Sequence, residues 1–227
     1  MLMRKAVKWY LRGLFPPAAT TVLLLLMLLA ADSSLNAIKT EGPSQFIALM
    51  EYIFFPVYGV LIGSHVFRDS RTTIFELGIF NGPKTVFLAR TVIVAIGLLP
   101  GMGSVALLAW WKGHPEFLVP ILLKVPLYTA FIAVLAAYLD SLAGTLTLFI
   151  IASAVPMSFS VLLGRSGSGS PDALMTSLAY VFSPVLCVRY RGLLPIDGAH
   201  GTALDLAVSA LLLLWGYWAF SRREFSP

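Results

Sequence analysis

The chain has 227 residues, of which 58% are hydrophobic and only 12% charged, whereas soluble domains carry roughly a quarter charged residues. The formal net charge is +5, yet no basic cluster alternates with aromatics on a soluble surface, so nucleic acid is not an expected partner. The apolar runs are long and unalternated, which argues against a β-barrel built from segments of about ten alternating residues and for an all-α, polytopic membrane protein with one transmembrane domain over residues 1–227.

A helix crossing ~30 Å of hydrocarbon needs about 20 mostly apolar residues. On that measure six spans are predicted, at about 16–32, 46–67, 86–111, 117–139, 142–164 and 203–221. Ahead of them, residues 1–15 place Arg4, Lys5, Lys8 and Arg12 on one arc of a helical wheel and Met3, Val7, Tyr10 and Leu14 on the other. This is the pattern of a helix lying in the membrane interface, broken by Pro16 and Pro17. It reads either as an anchor on anionic membrane lipid or as an elbow that also braces a cytoplasmic partner. The apolar run "LLLLMLLAADSS" that follows is expected to be a retained anchor; a cleavable signal peptide is the alternative.

Between spans two and three, residues 68–85 interrupt the apolar sequence with Arg68, Asp69, Arg71, Thr73 and Glu76. Thr73 and Glu76 have the spacing of a capping box, and Asn81, Gly82 and Pro83 supply a stop. A short helix over about 74–80 is predicted, displaying Ile74, Phe75, Leu77, Ile79 and Phe80. Such a face suits either burial in headgroups or a groove on a cytoplasmic partner.

Residues 165–202 contain two short apolar pieces. Ser170, Pro171 and Asp172 start the first, Ser183 and Pro184 break it, and Arg189, Arg191 and Gly192 close the second. They read as a broken re-entrant hairpin or as a loop resting on headgroups. Within the spans, Glu51, Lys124 and Asp205 fall at similar depth. Intramembrane charges are functional candidates, and these three form a possible outer gate, although each is near enough to the interface to snorkel. His65, His114 and His200 lie in separate contexts, and the single Cys187 offers neither a disulfide nor a metal framework, so no catalytic or metal site is expected.

Positive charge accumulates on short cytoplasmic loops. With the N-terminus inside, Arg4, Lys5, Lys8, Arg12, Arg68, Arg71, Lys84, Arg90, Arg222 and Arg223 are cytoplasmic, while Lys39, Lys112, Arg165, Arg189 and Arg191 are outside. Both termini are therefore expected in the cytoplasm and residues 165–202 outside.

An amphipathic elbow, six spans, a short helix between spans two and three and a broken hairpin between spans five and six resemble the membrane subunit of type-2 ABC transporters, mostly exporters. Those permeases often carry, in the loop after span two, an Arg-acid pair, a Gly-Thr-x-Glu-like helix start, a Pro and a distal basic residue. Here Arg68-Asp69, Thr73, Glu76, Pro83 and Arg90 stand in that order, with Thr72 in place of the Gly and a looser Thr-to-Glu spacing. The resemblance implies a plasma-membrane permease that lines a translocation pathway and works with a second identical or related permease chain. It also implies an ATPase-coupling role for Arg68, Asp69, Arg71, Thr73, Glu76 and Phe80. No GxxxxGK[ST] loop is present, so no cofactor is expected on this chain, and ATP with Mg would belong to a cytoplasmic ABC ATPase subunit. A secondary transporter or channel subunit, whose sign would be inverted repeats, and an intramembrane enzyme are the alternatives.

Overall fold

The computed structural model describes residues 2–13, 18–41, 44–67, 70–80, 82–138 and 199–222. The predicted fifth span, 142–164, and nearly all of the outer segment 165–202 lie outside the described residues, as do Arg68 and Asp69. Among the described residues the fold is helical throughout and contains no strand. Helix α1 covers Leu2–Gly13, α2 Ala18–Glu41, α3 Ser44–Leu49, α4 Phe55–Val66, α5 Ser70–Ile79, α6 Pro83–Trp111, α7 Leu118–Tyr138 and α8 Ala199–Arg222.

Among the described residues three stretches are long and apolar enough to cross a membrane: Ala18–Thr40, Pro83–Trp111 and Pro115–Leu135. The first outlasts its predicted end near residue 32. Polar side chains there bond within the helix: the Ser34 hydroxyl donates to the Ala30 carbonyl at 2.7 Å and Asn36 donates to Asp32 one turn back at 3.2 Å.

The region predicted as span two is divided. A π turn, Met50–Phe54, joins α3 to α4, with the Phe55 amide donating to the Met50 carbonyl. Pro56 follows directly, and a proline ring clashes with the carbonyl four residues back. Widening the preceding turn removes that clash, so helical structure continues from residue 44 to residue 66. Helix α6 stops on a left-handed residue: Gly113, at φ 85°, donates to Trp110 at 3.1 Å while His114 reaches Ala109 at 2.9 Å. This paired arrangement is favoured where glycine takes the positive φ.

Helices α6 and α7 form the centre, with α8 packed along α7 and with α1, α2 and α4 against α6. Two glycine-lined contacts, which the sequence reading passed over, set the close approaches. Tyr58 of α4 lies against Gly101 of α6, and its hydroxyl donates to the Gly97 carbonyl at 3.0 Å. Gly59 and Gly63, four apart on α4, admit Ile132 of α7. Small residues at this spacing let helices approach closely inside a membrane.

Contacts between elements define two ends of the bundle. At one, Lys112 bridges to Asp32 at 2.7 Å and the rings of Phe46 and Phe117 meet at 5.0 Å. At the other are α1, α5 and the start of α6, joined by the end of α8 through ring contacts of Phe87 with Tyr217 and Phe220. The N-terminal helix and the end of α8 therefore share the end that carries α5.

Candidate functional site

The chain leaves α4 at Phe67, whose amide donates to Gly63 at 2.8 Å, and re-enters a helix at Ser70. Helix α5 thus begins four residues before the predicted 74–80. Thr73 is consequently inside the helix and is not its cap. Asn81 is outside the described residues, but Gly82 takes φ 115° and Pro83 opens α6, so the predicted stop lies between the two helices.

Residues at i, i+3 and i+7 share one face of a helix. On α5 and the turn that follows it these are Thr73, Glu76 and Phe80, which are buried, whereas Phe75 and Ile79 remain 62% and 50% exposed. The division corrects the expectation that Phe80 belongs to the displayed face. Its ring packs against Trp9 and Tyr10 of α1 at centroid distances of 5.9 and 6.3 Å.

The buried face is held by Arg90, two turns into α6 and only 2% exposed. Its Nη2 donates to Glu76 Oε2 at 2.6 Å and to Thr73 Oγ1 at 3.0 Å. Its Nε reaches Glu76 Oε2 at 3.1 Å and the Tyr10 hydroxyl at 3.2 Å. Tyr10 in turn donates to Glu76 Oε2. The rings of Phe67 and Tyr10 lie 5.6 and 5.9 Å from the guanidinium carbon, within the range of cation–π attraction. A buried guanidinium must place its fixed fork of donors on acceptors. Charge-assisted bonds are about twice as strong as neutral ones, which explains why Glu76 turns to Arg90 and does not complete a capping box with Thr73.

Three residues of the spaced motif, Thr73, Glu76 and Arg90, therefore come together, and Tyr10 joins them from a helix 66 residues away from Glu76 in sequence. By sequence Tyr10 falls on the apolar face of α1, and its hydroxyl is the one local feature that points to a buried polar partner. Arg71 lies on α5, Arg4 and Arg12 on α1, Glu51 in the π turn and Asp205 on α8, with side chains outside the described residues. Lys5 and Lys8 are exposed. Lys124 is buried in α7, and the gate-like pairing of Glu51, Lys124 and Asp205 falls outside the described side chains.

Burial pushes the Tyr10 phenol up from its ordinary value of 10.0, opposed by the Arg90 charge and reinforced by Glu76. A raised folded-state value means that stability gained from the neutral phenol is fully present below about pH 10 and is lost as pH rises above it. Tyr10→Phe is expected to cost about 1.5–3 kcal/mol below that pH, the range for hydrogen bonds to charged groups, and to flatten the alkaline loss. Thermal unfolding midpoints of both proteins across a pH series check this; parallel alkaline curves would show that Tyr10 does not carry it.

No protein-family model matches the chain, and the search of curated proteins returns no match. Composition and fold define the class: a helical integral membrane protein with, among the described residues, three helices long and apolar enough to span the bilayer. Its distinguishing feature is a short inter-span helix ion-paired to the base of one of them.

Proposed function

We propose that this chain is the membrane subunit of a type-2 ABC transporter, an exporter-type permease whose α5 couples a separate cytoplasmic ATPase to the translocation pathway. One observation carries the reading: α5 is locked to α6 on one face by the buried Glu76–Arg90 pair and offers Phe75 and Ile79 on its other face. A helix fastened rigidly at its back and apolar at its front transmits a push to the helix it is fastened to. A partner groove of apolar lining would receive Phe75 and Ile79, one helical turn apart, in the usual helix-in-groove manner.

On this reading α1 is the elbow, α5 the coupling helix and the helical stretch 44–66 a further crossing. The shared end of α1, α5 and the end of α8 supports two cytoplasmic termini in the plasma membrane. The assembly is a pair of identical or related permease chains with two ATPase subunits, which hold ATP and Mg. Arg68, Asp69 and Arg71, flanking or within α5 in sequence, belong to the ATPase-coupling set on this reading.

The test uses the double variant Phe75→Ala/Ile79→Ala. Both side chains are exposed, so folding should be nearly unaffected, whereas loss of an aromatic anchor from an interface typically costs 2 kcal/mol or more, roughly a thirtyfold weakening of binding. Co-purification of the ATPase and substrate-stimulated hydrolysis should both fall. Unchanged values for both would sink the coupling assignment.

A further inference from the structure

The five tryptophans are Trp9, Trp110, Trp111, Trp215 and Trp218, and four of them mark the two ends of the bundle. Trp110 and Trp111 project at one end, 60% and 87% exposed, beside Lys112. At the other, Trp9 is 46% exposed on α1, and Trp218 lies 4.4 Å beneath the Arg222 guanidinium. Along α6 the rise from Arg90 to Trp110 is about 30 Å, the thickness of the hydrocarbon core. Tryptophan prefers the two boundaries of that core. The Arg90 cluster and the α1 helix packed on it therefore lie at headgroup depth.

At that depth α1 turns Ala6 and Tyr10 inward and leaves Lys5, Lys8 and Trp9 outward. We propose that this outer face binds anionic phospholipid headgroups and that Tyr10 and Trp9 relay the occupancy to α5. The charge is complementary, and the indole supplies an amphipathic ring suited to the boundary. The relay is on the same helix: Trp9 packs edge-on to Phe80, and the next residue, Tyr10, donates to Glu76. A shift or stiffening of α1 therefore reaches both the middle and the end of α5. The inference rests on α1 and α5 sharing one end of the bundle, and it holds with or without an ATPase partner.

Each basic residue near an anionic surface strengthens association about fivefold. The full-length chain, in nanodiscs of phosphatidylcholine with or without added phosphatidylglycerol, provides the test. Lipid retention is read by native mass spectrometry and α5 by amide hydrogen exchange. The unsubstituted chain should retain phosphatidylglycerol over phosphatidylcholine, less so as salt screens the charges, and its α5 amides should exchange more slowly in the anionic discs. Lys5→Gln/Lys8→Gln should reduce that preference by about tenfold or more. Tyr10→Phe should keep the preference and the protection of α1 but lose most of the response in α5. Equal retention of the two lipids, or an equal response to free inorganic phosphate, would overturn the headgroup site. An α5 response that survives Tyr10→Phe intact would overturn the relay through Tyr10.

Discussion

Glu76→Ala is expected to destabilise the protein by about 3–5 kcal/mol, the cost of leaving one member of a buried ion pair without its partner. The loss exceeds the ~1 kcal/mol of a helix cap, the role the Thr73–Glu76 spacing alone suggests. Arg90 is buried at the α1–α5–α6 junction, and Glu76 Oε2 receives two of its donors as well as the Tyr10 hydroxyl. Removing the carboxylate leaves a desolvated guanidinium with, among the described residues, the Thr73 and Tyr10 oxygens as acceptors. Replacing both charges, as in Glu76→Leu/Arg90→Met, should be far milder, because two apolar side chains of similar volume need no solvation. Unfolding in detergent, followed for the single and double variants, measures the difference. A single variant within about 1 kcal/mol of the parent would show that the pair is not what fastens α5, since a lost cap alone costs that much.

Gly63→Ala is expected to cost about 3 kcal/mol, at the upper end for overpacking. A Cβ there would stand 2.4 Å from Ile132 Cγ2, well inside contact distance, and 3.6 Å from Ile132 Cβ. Isoleucine holds one strongly preferred χ1 rotamer in a helix, so Cγ2 cannot swing aside cheaply and the helices themselves must separate. Adding Ile132→Ala removes the obstructing branch, and the double variant should be more stable than the sum of the two single effects by at least about 1 kcal/mol, a coupling expected only between residues in contact. Strict additivity in the same unfolding assay would mean that α4 and α7 do not meet at this point.

Placing the tertiary contacts beside the motif changes how each residue is used. Phe80 and Phe75 are indistinguishable by hydrophobicity, and both stood on the face expected to dock. Which of them is free depends on α1, which covers Phe80 with Trp9 and Tyr10. The Thr73–Glu76 spacing carried a true signal of proximity, but the partner that both side chains use is Arg90, 14 residues beyond Glu76.

The all-helical membrane class, the apolar stretches of α2, α6 and α7, the break at Gly82-Pro83 and the basic face of α1 were determined by sequence alone. Each follows from a local property: apolar length, the freedom of glycine at positive φ, the missing amide of proline, or charge repeating at 100° per residue. The π turn before Pro56, the Gly59–Gly63 seat for Ile132 and the Tyr10–Glu76–Arg90–Thr73 cluster were decided only by tertiary structure. They depend on which helices become neighbours, and the same carboxylate that would cap an isolated helix is drawn instead to a buried guanidinium. Desolvation makes that choice, because an unpaired charge away from water costs more than an unmade cap.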